Sequence, residues 1–318
     1  MATSRKNRTG RLYEQAGVTL AVTGATGFVG GRLLALAAET GRPLVCLTRR
    51  PQDECTGVRW IEGDLHDSDA LARLCEGADA VIHIAGVINA PDAEGFERGN
   101  VEGTKNLLAA ARGARAKRFV HVSSLAAREP SLSLYGASKA RSETAVKTSG
   151  LDHVIVRPPA VYGPGDRETL ELFRMAQRGI VMLPPRGKLS LIHADDLGSL
   201  LLTLADGAGR SGLVLEPDDG TADGWTHVAF AKALGRAVGR GNVTLSMPKP
   251  IVEFGARIDR MLRGDKAKLT PDRAAYFCHP DWAVNPMKRP DPDLWQPHIM
   301  TEKGLSDTAE WYREAGWL

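Results

Sequence analysis

The sequence predicts an α/β fold in which helices cover both faces of a doubly wound parallel sheet, followed by a small, mostly helical C-terminal lobe. Apolar runs typical of strands alternate with helical patterns along the first half of the 318-residue chain, and such alternation is typical of parallel sheets. The runs are nearly continuous in valine, isoleucine, leucine and alanine, as expected of strands covered on both faces. A glycine-rich loop directly after the first run is the third indication.

The elements of the sheet follow in chain order from these patterns. The strand candidates are Val18–Thr23, Pro43–Thr48, Val58–Ile61, Ala80–Ile84, Arg118–Ser123 and Val154–Arg157. The helix candidates between them are Phe28–Glu39, Asp69–Cys75, Asn100–Arg112 and Tyr135–Thr148. Because sheets of this kind bind ligands at the carboxyl ends of their strands, we expect the functional site at that edge.

The glycine-rich loop lies between the first strand and the first helix. Glycines let the backbone turn sharply and approach a pyrophosphate, and the following helix N-terminus offers free N–H groups. This order favours a dinucleotide seat over a purely structural turn. The residues predicted to bind the cofactor here are Gly24, Ala25, Thr26, Gly27, Phe28, Val29 and Gly30.

The second half of the chain differs in texture, because proline and glycine become frequent after about Arg157. We expect a disordered basic tail (residues 1–16), a Rossmann-type NAD(P)-binding domain (17–166) and a substrate-binding lobe (167–318) that returns some elements to the sheet. The helices predicted in the second half are Glu168–Arg178, Ala194–Ala205, Trp225–Val238, Ile251–Leu262 and Thr301–Ala315.

Composition disfavours several classes of protein. A net charge of +3 is too small to indicate a nucleic-acid partner. No apolar run approaches the ~18 residues of a membrane span, and we expect no secretory signal. The four cysteines lack the spacing of a metal site. We therefore expect a cytoplasmic protein without a metal, acting on a small-molecule substrate.

A tyrosine and a lysine at Tyr135 and Lys139 are four positions apart, so a helix would present both on one face. A nearby ammonium favours the phenolate and lowers the tyrosine pKa, which suits a general acid or base. The alternative is a surface pair on an amphipathic helix. The Val122-Ser123-Ser124 segment just upstream favours the catalytic interpretation, because a serine hydroxyl there can bond the same substrate oxygen.

Several motifs together resemble the extended short-chain dehydrogenase/reductase family. That family includes nucleotide-sugar epimerases and dehydratases, 3β-hydroxysteroid dehydrogenases and dihydroflavonol-type reductases. The resemblance runs from Val18 to about Ala205. Besides the glycine loop and Tyr135…Lys139, the motifs are Gly63-Asp64-Leu65, His83-Ile84-Ala85-Gly86, Asn100-Val101-Glu102-Gly103-Thr104, Val122-Ser123-Ser124 and Arg157-Pro158-Pro159-Ala160-Val161-Tyr162-Gly163-Pro164.

The resemblance implies catalytic roles for three residues. Tyr135 would be the acid/base, and Lys139 would hold the nicotinamide ribose and tune Tyr135. Ser124, rather than Ser123, matches the family's catalytic serine. Asn100 lies where the family has an asparagine beneath the active site, and both a structural and a catalytic role stay open for it.

The resemblance also implies contacts with the cofactor. Asp64 would contact the adenine with Leu65 beside it, and Ala85 and Gly86 would pass under the adenine-side ribose. The backbone from Pro158 to Val161 would meet the nicotinamide carboxamide.

The choice of cofactor is argued from the charge after the second strand. NAD-binding proteins of this fold usually place an acidic residue there for the ribose 2′-hydroxyl. Here Arg49 and Arg50 follow the strand instead, and guanidinium groups match a 2′-phosphate. We therefore expect NADP(H) as the cofactor. The alternative is NAD(H), in which case both arginines would simply be solvated after the strand.

The substrate is expected to be a carbonyl or alcohol of low polarity. Ser124 and Tyr135 are only eleven positions apart, whereas many nucleotide-sugar members of the family have a longer, polar segment here. The leading hypothesis is an NADP(H)-dependent oxidoreductase that interconverts a ketone and a secondary alcohol. The alternatives are a sugar-nucleotide epimerase or dehydratase that recycles a tightly bound cofactor, and a non-catalytic dinucleotide-binding subunit. A homodimer is the family's habit.

Aromatic and basic residues of the second half have two readings each. Trp225, Phe230, Phe254 and Trp282 would line either the substrate pocket or the core, with the core as the default. Arg167 would contact either solvent or an anionic substrate group.

Overall fold

The computed structural model describes residues 19–264, 267 and 269–318, so the predicted tail over residues 1–16 lies outside the described residues. The strands are β1 (Leu20–Thr23), β2 (Leu44–Thr48), β3 (Val58–Glu62), β4 (Ala80–His83), β5 (Arg118–Val122), β6 (His153–Val156), β7 (Ala160–Tyr162), β8 (Ile180–Leu183), β9 (Lys188–Leu189), β10 (Leu191–His193), β11 (Leu213–Leu215), β12 (Trp225–Thr226), β13 (Val243–Ser246) and β14 (Asp281–Trp282).

The helices alternate with the strands of the first half, as predicted, and dominate the second. They are α1 (Phe28–Glu39), α2 (Ser68–Cys75), α3 (Ala93–Phe96), α4 (Gly103–Gly113), α5 (Leu134–Lys147), α6 (Leu170–Gln177), α7 (Ala194–Ala205), α8 (His227–Ala237), α9 (Lys249–Arg263), α10 (Pro271–Phe277) and α11 (Thr301–Glu314). A π-helical segment, Glu97–Glu102, joins α3 to α4, and a 3₁₀ turn, Leu125–Arg128, follows β5.

The predicted doubly wound sheet is confirmed. Seven strands pair in the order β11-β6-β5-β4-β1-β2-β3, and every pairing in this sheet is parallel. The strand order reverses between β1 and β4, where a crevice opens at the carboxyl edge. β11 comes from the second half of the chain and forms one edge of the sheet.

Two hydrophobic clusters cover the faces of the sheet. Along β1, Leu20 and Val22 pack on one face and Ala21 on the other, which is the alternation of an extended strand. Helices α1 and α7 cover the first face, and α2, α4 and α5 cover the second. Both faces are dry, which explains why the strand sequences are nearly continuous in apolar residues.

The second lobe has its own core. Phe173 of α6 and Tyr312 of α11 meet edge to face with ring centroids 5.1 Å apart, and α8 packs against both of these helices. Short strand pairs (β8 with β13, and β9 with β12 and β14) connect the helices. Within the described part of the chain, no helix is both long and apolar enough to span a membrane.

Candidate active site

A cavity of about 1560 Å³ lies along the carboxyl edge of the sheet and under the second lobe. Its walls come from the segments that follow β1 to β6 and from α10. The sequence-predicted residues that line it are Gly24, Thr26, Gly27, Phe28, Val29, Gly30, Arg49, Asp64, Leu65, Ala85, Gly86, Ser124, Tyr135 and Val161. The topology therefore brings most of the predicted residues to one cleft.

Five predicted residues do not line this cavity. Ala25 of the glycine loop is fully buried, and Arg50 is exposed but does not line the cavity. Asn100 and Lys139 lie behind the cavity wall, with exposures of 2% and 4%. Pro158 is buried, and its carbonyl oxygen accepts a hydrogen bond from Leu125 N at 3.0 Å.

The glycine loop has room for backbone only. Gly24 has φ +80°, a conformation that favours glycine, and a Cβ there would lie 2.6 Å from Ala85 N. A Cβ on Gly30 would lie 2.6 Å from Ala25 Cα and would overlap the Gly24 carbonyl oxygen. No side chain caps α1, and its first turn holds no acidic residue. This loop and helix N-terminus fit a dinucleotide pyrophosphate, which needs close backbone approach and N–H donors.

The edge of β2 carries positive charge into the cleft. Arg49 is exposed and lines the cavity. Thr48 orders the turn, because its hydroxyl donates to Arg50 O at 2.7 Å and accepts from Arg50 N at 3.3 Å. Among the described residues, no carboxylate forms an ion pair with Arg49 or Arg50.

Tyr135 and Ser124 meet at the floor of the cavity because α5 packs tightly on the 3₁₀ turn. Gly136 permits this approach, since a Cβ there would lie 2.7 Å from Ala126 O. Ser133 caps α5 by accepting from Gly136 N at 2.9 Å. The Ser124 hydroxyl accepts from Ala126 N at 3.2 Å, and it lies near enough to the Tyr135 phenol to lower the pKa of that phenol.

The two adjacent serines have different partners. The Ser123 hydroxyl is buried and donates to Glu143 Oε1 at 2.6 Å, whereas Ser124 lines the cavity. The geometry therefore favours Ser124 as the serine that contacts a substrate.

The acidity of Tyr135 differs from the prediction. Burial of the hydroxyl raises the pKa of Tyr135 above its usual value, and the hydrogen bond with Ser124 opposes this in part. The spacing of Tyr135 and Lys139 had predicted a lowered pKa. The direction is opposite because the Lys139 ammonium donates to Val122 O at 2.7 Å and forms no hydrogen bond with the phenol among the described contacts. Tyr135 is therefore protonated at neutral pH and is poised as an acid.

Lys139 is a buried lysine whose pKa is lowered. Burial lowers its pKa to about 8, and the Glu143 carboxylate opposes the shift. A Cβ on Gly86 would lie 3.7 Å from Lys139 Nζ, so the ammonium lies directly behind the loop after β4. It can act on a ligand that passes over that loop.

Asn100 joins the loop after β4 to helix α5. Its Oδ1 accepts from Val87 N at 2.7 Å, and its Nδ2 donates to Val87 O and to Ser138 Oγ, each at 2.9 Å. These hydrogen bonds connect the loop after β4 to α5 through the Asn100 side chain. The π-helical segment places this side chain between β4 and α5.

A buried ionic network beneath the site was missed by the sequence analysis. The Arg157 guanidinium donates to both oxygens of Glu143 at 2.7 Å, and its Nη1 lies 3.4 Å from Glu216 Oε1. Arg157 and the Ser123 hydroxyl hold the pKa of Glu143 below its usual value despite its burial. The one available signal was Glu143, which lies four positions after Lys139 on the same helix.

Trp282 was weighed from the sequence as a pocket residue, whereas Tyr276 was missed, and the two form an aromatic wall of the cavity. Tyr276 of α10 packs against Trp282 with ring centroids 4.5 Å apart, and Trp282 Nε1 donates to Tyr276 O at 2.9 Å. Asp272 connects α10 to α5 by accepting a hydrogen bond from Leu134 N at 2.7 Å. These residues line the cavity, as do Phe230 and Arg167, whereas Trp225 and Phe254 do not. Sequence spacing gave no signal for Tyr276, because it is 141 positions after Tyr135.

The next feature is the distribution of side chains that could bind a metal ion. The part of the chain that the structure describes holds no group of three or more metal-type side chains. His83 is a neutral structural histidine, since burial lowers its pKa to about 3 and its two nitrogens bond Thr23 and Thr104.

Comparisons with known proteins agree with this geometry. The sequence model of the NAD dependent epimerase/dehydratase family matches residues 20–212. A ceramide reductase of Caulobacter vibrioides is 39% identical over 308 residues, covering 94% of this chain and 96% of that protein. A 2-alkyl-3-oxoalkanoate reductase of Stenotrophomonas maltophilia is 29% identical, covering 89% of this chain and 96% of that protein. The crystal structure of gox2253 superimposes with a TM-score of 0.76 at 24% identity, covering 95% of this chain and all of that one, which shows the same fold.

Proposed function

Since this chain belongs to the NAD-dependent epimerase/dehydratase family and is an oxidoreductase of the extended short-chain dehydrogenase/reductase type, we propose that it uses NADPH to reduce the ketone of a long-chain lipid of the ceramide class. The observation that carries the proposal is that Ser124 and Tyr135 lie together in the lining of the cavity, beside the dinucleotide-type loop.

The side chains supply the proton half of this reaction. A bound dinucleotide would supply the hydride that reaches the carbonyl carbon. The Tyr135 phenol, protonated at neutral pH, donates its proton to the carbonyl oxygen, which becomes the alcohol. The Ser124 hydroxyl donates a hydrogen bond to the same oxygen as negative charge develops there, an effect often worth about 3 kcal/mol. The Lys139 ammonium, held by Val122 O, keeps positive charge behind the site.

The wall chemistry supports a lipid substrate. The side chains that oppose Tyr135 include the rings of Tyr276, Phe277 and Trp282, and Met182 and Leu183 continue this apolar surface. The volume, about 1560 Å³, exceeds the range of roughly 300–1,000 Å³ for pockets that hold one small ligand, and so leaves room for an acyl chain beside a cofactor. The relative named ceramide reductase aligns along nearly the whole chain, second lobe included.

Turnover with purified protein tests the proposal. With the ketone that corresponds to a ceramide, we expect the absorbance of NADPH to fall as the cofactor is consumed. Mass spectrometry should detect the secondary alcohol as the product. UDP-glucose serves as the matched alternative substrate. Epimerised UDP-glucose without net NADPH consumption would identify the sugar-nucleotide alternative, and dinucleotide binding without turnover of either would identify the non-catalytic one.

The preference for NADPH is proposed on the charge of Arg49. A guanidinium in the cavity can bond a 2′-phosphate, and such charge-assisted bonds are worth about 1.5–3 kcal/mol. Arg49→Ala is expected to raise the KM for NADPH by about 10- to 100-fold and to leave that for NADH within about twofold. Arg59→Ala is the control, because Arg59 is an exposed arginine of the neighbouring β3 that does not line the cavity. Equal losses for the two cofactors would contradict the preference.

The pH dependence of the reaction follows from Lys139. Its pKa is lowered to about 8, so the ammonium is charged below that pH and neutral above it. We expect kcat/KM for ketone reduction to be level at neutral pH and to fall as the pH rises through about 8. In Lys139→Arg, whose guanidinium stays charged, the alkaline fall should move to higher pH. An alkaline limb that this substitution leaves in place would assign the titration to another group.

A further inference from the structure

Helix α9 presents large apolar side chains to solvent. Phe254 is 63% exposed, Met261 77% and Leu262 74%, with Ile251 half exposed at 50%. Few soluble proteins expose apolar groups in such concentration on one helix, and patches of this kind mark contact surfaces.

The exposed apolar groups form one stripe. Ile251, Phe254, Ile258, Met261 and Leu262 follow helical spacing, so they line the same side of α9. Ala256 lies on the opposite side and is fully buried. The helix thus turns its bulky apolar groups outward, which is the reverse of an ordinary surface helix.

Basic side chains accompany the stripe. α9 carries Lys249, Arg257, Arg260 and Arg263 against Glu253 and Asp259, a net charge of 4 − 2 = +2. The two acids form i,i+4 ion pairs, Lys249 Nζ with Glu253 at 3.7 Å and Arg263 Nε with Asp259 at 3.2 Å. Arg257 and Arg260 supply the excess charge, and both are exposed. Arg257 follows Phe254 by three positions and flanks the stripe, whereas Arg260 follows Ala256 by four positions and lies on the opposite side. A basic helix with an apolar stripe suits an anionic lipid surface.

The same helix borders the cavity. Arg260 belongs to the cavity lining, and α9 packs against α10, whose Tyr276 and Phe277 form the aromatic wall. Phe277 is 40% exposed, so the wall continues to the surface beside α9. A lipid surface in contact with α9 would therefore lie at the cavity mouth.

We propose that α9 docks this protein onto an anionic phospholipid membrane, with its apolar stripe at the boundary of headgroups and acyl chains and the cavity mouth facing the lipid. The proposal rests on the proposed lipid substrate and explains how such a substrate reaches the site without crossing water. A second copy of the chain fits the stripe less well, because a twofold contact would bring two positively charged helices together.

Vesicle binding tests the docking surface. The probes are vesicles of phosphatidylcholine with phosphatidylglycerol, and of phosphatidylcholine alone. We expect the protein to co-sediment with the anionic vesicles, and the double variant Phe254→Glu/Met261→Glu to bind them at least about tenfold more weakly. Arg257→Glu should weaken binding in a salt-dependent manner. Met287→Glu/Met300→Glu is the matched control, since these methionines are 90% and 78% exposed but lie outside α9.

Activity separates docking from catalysis. Phe254 and Met261 do not line the cavity, so their double variant should reduce a short, water-soluble ketone like the wild type. Its turnover of a ceramide-type ketone in anionic vesicles should fall at least about tenfold. Wild-type turnover of that ketone without vesicle binding would overturn docking alone. Vesicle binding without any turnover of it would overturn the lipid substrate alone. A dimer in light scattering that the double variant abolishes would overturn docking in favour of a second copy.

Discussion

Replacing Tyr135 by phenylalanine is expected to lower kcat for ketone reduction by about a thousandfold, with the KM for NADPH changed by less than about twofold. The substitution removes the phenolic proton that is proposed to reach the carbonyl oxygen, while the ring keeps its contact with Phe96 (centroids 6.2 Å apart). Steady-state rates with each substrate varied, together with the melting temperature, measure the two effects separately.

A second tyrosine provides the control for this variant. Tyr162 is fully buried and its hydroxyl lies 3.4 Å from Thr301 O, outside the cavity lining. Tyr162→Phe should lower the melting temperature slightly and leave kcat near that of the wild type. Full activity of Tyr135→Phe would remove the proposed acid, and with it the assignment of Ser124 as its partner.

Replacing Gly30 by alanine is expected to weaken NADPH binding by about a hundredfold and to destabilise the fold by about 1–3 kcal/mol. The added methyl group would lie 2.6 Å from Ala25 Cα and would overlap the Gly24 carbonyl oxygen, both of which are backbone atoms. The loop would have to move, yet Gly24 is itself packed against Ala85. Titration of cofactor fluorescence and thermal unfolding measure the two losses.

The neighbouring glycine supplies a matched control. Gly31 is exposed on the same helix, and a Cβ there meets nothing within 4 Å. Because Gly31 also lines the cavity, Gly31→Ala should lower cofactor affinity far less than Gly30→Ala does, and it should stabilise the protein by up to about 1 kcal/mol through helix propensity. Similar losses in both variants would show that the helix, and not the close approach of the loop, controls binding.

Local patterns in the sequence were sufficient for the fold and for the outline of the site. Six of the seven strands of the sheet coincide with predicted apolar runs, whereas β11 of the second half was not located. Most of these runs are apolar on both faces, so consecutive residues identify the strand. Gly24, Gly27 and Gly30 are similarly local, because turn conformation and helix approach depend on the residue type at that position. Ser124 could be separated from Ser123 only by resemblance, and the structure adds the reason that Ser123 is bonded to Glu143.

Contacts between segments that are distant in the chain could not be predicted from local sequence patterns. The spacing of Tyr135 and Lys139 places both on one face of α5, but it does not identify the atom that the ammonium meets, which is Val122 O. The acidity of Tyr135 depends on that partner and on burial, and its direction was therefore mispredicted. The aromatic wall could not be predicted for the same reason. Helix α10 is held at the site by a hydrogen bond between Asp272 and Leu134, which are 138 positions apart in the chain.

By itself, the sequence determined the parallel sheet and predicted the seat for a dinucleotide and the acid, because each depends on residues close together in the chain. Tertiary structure alone decided the pKa shifts of Tyr135 and Lys139, the apolar wall of the cavity and the exposure of the stripe on α9. These are properties of desolvation and of neighbours in space, and hydrophobic periodicity shows that a helix has an apolar side without showing whether that side meets the core or the solvent.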